Sequence, residues 1–168
     1  MRWWFSVVKL TAFTDYSLRV LMYLAAEPQR RATIAEIAGA FGISGNHLTK
    51  VAHLLGRNGW LANVRGTGGG LELALPPQHI VIGQVVRHTE GAAVPAACFA
   101  QDRAPCTIAP ACRLRGVLAE AVGAFYGVLD RTTLADLADN PRALSRLLFI
   151  DRVAPTPNPG RSARTSPP

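Results

Sequence analysis

Cys98, Cys106 and Cys112 are the chain's three cysteines, and they share one short stretch, Cys98-Phe-Ala-Gln-Asp-Arg-Ala-Pro-Cys106-Thr-Ile-Ala-Pro-Ala-Cys112. Thiolates are soft ligands that select zinc, copper(I) or iron–sulfur clusters. Three of them on one loop, with Pro105, Pro110 and Ala111 between, can converge on a single centre without a helix or sheet to position them. The spacing C-x7-C-x5-C lacks the C-x2-C knuckles usual for structural zinc, and three cysteines leave a fourth position to another residue. That pattern favours a labile cluster over a closed structural site. The alternatives are buried thiols without a ligand, or one disulfide and a spare thiol. An odd cysteine count in a chain without a secretory signal argues against a disulfide framework.

The elements ahead of the cysteines read as a DNA-binding head. Leu18, Leu21, Met22 and Ala25 recur at helical spacing with Val20 and Leu24 beside them, which predicts a helix from about Thr14 to Glu27, buried on most of its circumference. Thr33 and Glu36 form a capping-box pattern for a second helix carrying Ile34, Ile37, Ala38 and Phe41 and ending at Gly42. Ser44 is the expected cap of a third helix, to Asn58, with Leu48, Val51, Ala52 and Leu55 inward and Asn46, His47, Thr49, Lys50 and His53 on other faces. Helix, glycine-containing turn, helix is the helix-turn-helix pattern, though an ordinary helical hairpin has the same signature.

The following segment favours the DNA-binding reading. Gly59 to Val64 and Leu71 to Leu75 read as two strands joined by Arg65-Gly-Thr-Gly-Gly-Gly70, a β-hairpin wing behind a recognition helix. A nucleotide-binding phosphate loop is disfavoured, because no Lys-Ser/Thr follows the glycines and the run joins strands instead of opening a helix. The candidate DNA contacts are Ser44, Asn46, His47, Thr49 and Lys50 on the helix and Arg65 and Thr67 on the wing.

Beyond Pro76-Pro77, Val81 to Glu90 reads as a short helix, and a long one runs from Cys112 to about Asp130. Leu114, Leu118, Ala121, Phe125 and Val128 give the long helix a short coiled-coil-like seam, suited either to a second copy or to packing on its own head. Thr133 caps a last short helix, and Leu144, Leu147, Leu148 and Phe149 form a final apolar patch. The expected organisation is a winged head over 9–78, cluster loop and dimerisation helices over 79–149, and a Pro-, Ser- and Arg-rich disordered tail over 150–168. Residues 1–8 read as an extension, with Val8 as an alternative initiator. The fold class is mainly α with a small β-hairpin.

The net charge of +7 is unevenly spread: residues 1–75 hold 8 Lys/Arg against 4 Asp/Glu, and residues 76–150 hold 7 against 6. The basic surplus therefore sits in the head and tail, where a polyanion would dock. Lys9 and Asp15 interrupt the apolar start too early for a signal peptide, so a cytoplasmic protein with no membrane span is expected. No nucleophile–base pair, P-loop or paired carboxylates point to an enzyme.

Lys9-Leu-Thr-Ala-Phe-Thr-Asp-Tyr-Ser-Leu-Arg-Val-Leu, Ile34-Ala-Glu-Ile-Ala, Ser44-Gly-Asn-His-Leu-Thr-Lys-Val and Arg65-Gly-Thr-Gly-Gly-Gly, followed by three cysteines, together resemble the NsrR family. These are nitric-oxide-sensitive iron–sulfur repressors related to the cluster-assembly regulator IscR. The resemblance covers residues 9–149 and implies a homodimeric winged-helix repressor of palindromic operator DNA. It also implies one 4Fe-4S or 2Fe-2S cluster per subunit on Cys98, Cys106 and Cys112. The first two cysteines lie further apart than in the commoner family spacing, and Asn46-His-Leu separates the chain from the IscR branch. Asp15 matches an acidic position that can ligate the cluster of the partner subunit, although a helix N-terminal acid favoured by the dipole reads the same way. His88 and Asp102 are weaker candidates for the fourth ligand. The competing functions are a redox- or iron-responsive or cluster-assembly regulator of the same fold, and a metal-free or zinc-bound thiol sensor.

Overall fold

The computed structural model describes residues 9–91, 99, 106–108 and 111–149. The expected extension 1–8 and tail 150–168, together with Cys98 and Asp102, lie outside the described residues. The fold is mainly helical with one two-stranded antiparallel hairpin, as the periodicity predicts.

Helix α1 (Ala12–Ala26) is the central rod. The Thr11 hydroxyl accepts from the Thr14 N–H, and Val20, Leu21, Tyr23 and Leu24 are all buried. Helix α2 (Ile34–Phe41) starts at Thr33, whose hydroxyl accepts from the Glu36 N–H, and ends where Gly42 takes the left-handed conformation (φ 63°). The Glu36 carboxylate is engaged from elsewhere, by Tyr23 Oη at 2.7 Å and by Arg30. Helix α3 (Gly45–Arg57) buries Leu48, Val51 and Leu55 against α1 and α2. Ser44 occupies its cap position, yet its side chain makes no capping bond; only its carbonyl receives His47 and Leu48 N–H groups.

Strands β1 (Leu61–Val64) and β2 (Gly70–Leu73) pair in the register Leu61↔Leu73 to Val64↔Gly70, so each is shorter than expected. Ala32 adds a bridge to Leu71 through N–H···O bonds of 3.0 and 2.8 Å, which fastens the wing to the chain entering α2. A short 3-10 turn, Pro77–His79, leads into α4 (Ile82–Glu90).

Helix α5 (Arg113–Leu129) has no fully buried residue. Its C-terminal end is nevertheless anchored: Arg87 on α4 grips Asp130 through two N–H···O bonds and lies over the Tyr126 ring at 4.3 Å. The chain then returns to the head, with Ile82 N–H donating to Thr132 O and Leu134 N–H to Ile80 O. Helix α6 (Leu134–Leu137) starts with a reciprocal Thr133–Asp136 capping box. A further helix, α7 (Pro141–Leu148), stands where only an apolar patch was expected; Asn140 caps it and Pro141 opens it. Ile80, Val85, Val86 and Leu134 share one core with Leu21, Leu48 and Leu55. Among the described residues no helix is long and apolar enough to cross a membrane.

Candidate nucleic-acid interface and cysteine segment

The acids between residues 9 and 75 all lie against arginines. Asp15 pairs with Arg19 at 2.9 Å, Glu27 with Arg30 at 3.8 Å, Glu36 with Arg30, and Glu72 with Arg31 at 2.7 Å. Burial, and then the hydrogen bond to Glu36, push the Tyr23 phenol up to about 12, so the buried corner of this network stays neutral at Tyr23. Lys50, Arg57 and Arg65 make no ion pair among the described residues. Apart from Lys9 at the start of the head, the uncompensated positive charge of the head is thus on α3 and the wing, which is the distribution a polyanion recognises.

Asn46, Thr49, Lys50, His53 and Arg57 are exposed on α3, opposite its buried Leu48–Leu55 stripe. Ser44 is exposed just ahead of the helix. His47 is exposed too, but its ring stands 6.1 Å from that of Tyr16, on the flank facing α1. Arg57 was missed in the sequence; its spacing with Lys50 and His53, i, i+3 and i+7, is the signal that finds it.

On the wing, Arg65 and Thr67 are exposed at the tip. The turn closes through Gly69 N–H···O=C Gly66 at 2.9 Å, and a Cβ on Gly69 would lie 2.3 Å from the Val64 carbonyl oxygen. Only glycine permits so tight a turn behind Arg65.

The cysteine segment leaves the head at the end of α4. There the Glu90 carboxylate accepts from Thr11 N–H at 2.8 Å, Thr11 Oγ1 at 3.1 Å and Thr14 Oγ1, joining α4 to the first turn of α1. Burial alone would raise the Glu90 carboxyl, but the bonds from Thr14 and Thr11 outweigh it and hold the group below its ordinary value. Asp15 follows Thr14 directly, half-exposed and paired with Arg19.

Cys106 is an exposed free thiol, and Cys112 is a half-buried free thiol at the N-cap of α5 with no side-chain capping bond. Phe99, the residue after Cys98, lies 5.6 Å beneath the Arg115 guanidinium in the first turn of α5. The Cys112 thiol beside the N–H groups of a helix start, with Arg113 and Arg115 adjacent, suits an anionic thiolate-ligated cluster. Among the described residues, no three His, Cys, Asp or Glu side chains converge on a metal-sized point. His88 is directed elsewhere: Nδ1 bonds Gln84 O at 2.8 Å and the ring packs edge-on to Trp60 at 5.3 Å.

The family model named Rrf2, described as an iron-dependent transcriptional regulator, matches residues 10–140. The HTH-type transcriptional regulator NsrR of Bacillus subtilis (strain 168) is 46% identical over 84% of this chain and 97% of its own. NsrR of Shouchella clausii is 44% identical over 84% and 95%. Among solved structures, the oxidized form of Staphylococcus aureus CymR superposes with a TM-score of 0.62 at 27% identity, over 79% of this chain and 97% of that one. T. potens IscR shares the fold at a TM-score of 0.63 and 24% identity, over 79% and 88%. The chain belongs to the Rrf2 family of transcriptional regulators, in its NsrR group, and is a regulator rather than an enzyme.

Proposed function

We propose that the chain is a transcriptional repressor that binds palindromic operator DNA as a homodimer and senses nitric oxide through an iron–sulfur cluster on Cys98, Cys106 and Cys112. The observation that carries this reading is the pairing, on one chain, of an uncompensated basic surface on α3 and the wing with the free thiols of Cys106 and of Cys112, the latter at the start of α5. The family's description as iron-dependent supports iron as the metal. Thiolates are the ligands that hold iron–sulfur clusters, as 4Fe-4S or 2Fe-2S.

On the DNA side, Asn46, Thr49 and Lys50 reach base edges, His47 and Ser44 flank them, and Arg65 and Thr67 take the wing to the backbone or minor groove. Leu114, Val117, Leu118 and Ala121 follow i, i+3, i+4, i+7 on α5, and Leu114 and Val117 are each 60% exposed, so this stripe is offered to a second copy. Phe125, expected in the seam, packs instead with the molecule's own core. Asp15 of the partner subunit is the proposed fourth ligand, and it would have to leave Arg19 to serve.

A bound cluster would supply iron that nitric oxide can attack. Gathering three thiolates ties the chain between Glu90 and α5 to one point. Releasing them frees the link between α4, held to α1 through Glu90, and the dimer helix α5. Recognition helices must stand about 34 Å apart to enter successive major grooves, so a small shift between heads suffices to weaken binding.

The test is the visible spectrum of anaerobically purified protein with iron and sulfide analysis, followed by selection of a palindromic duplex from a random pool. A brown, iron- and sulfide-containing protein that selects such a duplex is expected. A colourless zinc or free-thiol protein that still selects one would make the chain a thiol sensor instead.

A further inference from the structure

On one flank of the α3 ridge lies an open cleft of about 430 Å³ between α1, α3 and α4. Lys50, His53 and Arg57 form its α3 wall, His88 enters from α4, and Phe13 lines it from α1. None of the described residues that line it is acidic. The nearest carboxylates in sequence on α1 and α4 are committed elsewhere, Asp15 to Arg19 and Glu90 to Thr11 and Thr14. Among the described residues Lys50, His53 and Arg57 make no ion pair, and His88 donates Nδ1–H to Gln84 O, so its Nε2 donates to an anion as the protonated ring. Four basic groups, with no acid among the described lining residues, point to an anion as the ligand.

Two features decide which anion. The cleft is open, and its α3 wall continues the exposed ridge that starts at Asn46. With the N-terminal half of α3 against base edges, the C-terminal half runs beside the groove wall, which is made of phosphodiesters. We propose that this cleft seats one backbone phosphate of the bound DNA in each subunit, with Arg57 and His53 from the recognition helix and His88 from α4 as the phosphate-binding residues. The proposal rests on the DNA-binding reading above and adds residues that reading did not use. It also makes α4, the helix that leads into the cysteine segment, part of the DNA surface.

The test uses the full-length, cluster-loaded protein, a palindromic duplex selected from a random pool by the unaltered chain, and a scrambled duplex. Arg57→Ala, His53→Ala and His88→Ala change exposed side chains, and thermal unfolding followed by circular dichroism checks that each remains folded. Each phosphate contact contributes about 0.9 to the slope of log K against log salt. Arg57→Ala is expected to flatten that slope by about 0.9 per bound subunit and to weaken both duplexes alike. His53→Ala and His88→Ala flatten it less. A neutral methylphosphonate scanned along the palindrome should find one linkage per half-site whose neutralisation weakens the unaltered protein but leaves Arg57→Ala unaffected.

An unchanged slope in all three variants overturns the proposal while leaving the DNA-binding reading intact. A loss confined to the palindrome overturns it too, by making these residues base readers. Calorimetry with inorganic phosphate distinguishes the remaining source: binding of free phosphate that requires Arg57, with DNA slopes unchanged, would assign the cleft to a small anion. Failure of the unaltered protein to bind any duplex would overturn both readings.

Discussion

Replacing Glu90 by Gln removes one charge and almost no volume from the junction where α4, α1 and the cysteine segment meet. In the native chain one carboxylate oxygen accepts from Thr11 N–H, Thr11 Oγ1 and Thr14 Oγ1, across 79 and 76 residues of sequence. A hydrogen bond to a charged group is worth about 1.5–3 kcal/mol, roughly twice a neutral one. Gln keeps a neutral acceptor, and water reaches this partly exposed site, so the loss is expected at the low end, about 1 kcal/mol at neutral pH. The sign of its pH dependence follows from the carboxyl being held below its ordinary value. Its stabilising contribution is complete above the unfolded glutamate value of about 4.3 and disappears as pH falls through the lower folded value. Urea unfolding of the iron-free chain and of Glu90→Gln, followed by circular dichroism at about pH 7 and at steps below about pH 4.5, measures this directly. The two stabilities should converge on acidification. A gap that is absent at neutral pH, or constant down to the acid limit, would refute the hub assigned to Glu90.

Each of Cys98→Ala, Cys106→Ala and Cys112→Ala should abolish the visible absorbance of anaerobically purified protein while leaving the circular dichroism of the head unchanged; a variant that keeps its colour removes that cysteine from the site. Gly69→Ala would put a Cβ 2.3 Å from the Val64 carbonyl oxygen, so the wing turn must open. A stability loss of about 1–3 kcal/mol is expected together with weaker DNA binding, read by thermal unfolding and gel shift. Val117→Asp places a charge on an exposed apolar stripe of α5 and should leave the monomer's fold intact while sedimentation shows dissociation. An unchanged dimer would move the interface off that face.

The head was legible because local patterns and tertiary needs agree there. The α1 and α3 stripes, the Thr33 cap, the left-handed Gly42 and the glycine-rich wing turn each depend on neighbours a few residues away, as does the Thr133 cap beyond the head. Helix α7 was legible in principle, since Asn140 followed by Pro141 is a start signal, but its apolar residues were read as a patch without that signal. Ser44 shows the opposite case: a good capping residue sits at the cap, yet its hydroxyl makes no bond to the helix. The turning of His47 toward Tyr16, the use of Phe125 in the molecule's own core, and the Glu90 junction are long-range contacts with no periodic trace. Lys50, His53 and Arg57 had the trace, at one helical spacing, but their significance depends on the arginine pairing that neutralises the acids elsewhere in the head.

The most direct test of the account is an anaerobic titration of the cluster-loaded dimer with nitric oxide, following visible absorbance and operator occupancy in the same sample. Occupancy should fall in proportion to loss of the cluster signal, and the iron-free protein should bind the operator weakly from the outset. DNA that stays bound after the cluster signal has collapsed, or iron-free protein that binds as tightly as the loaded form, would contradict it.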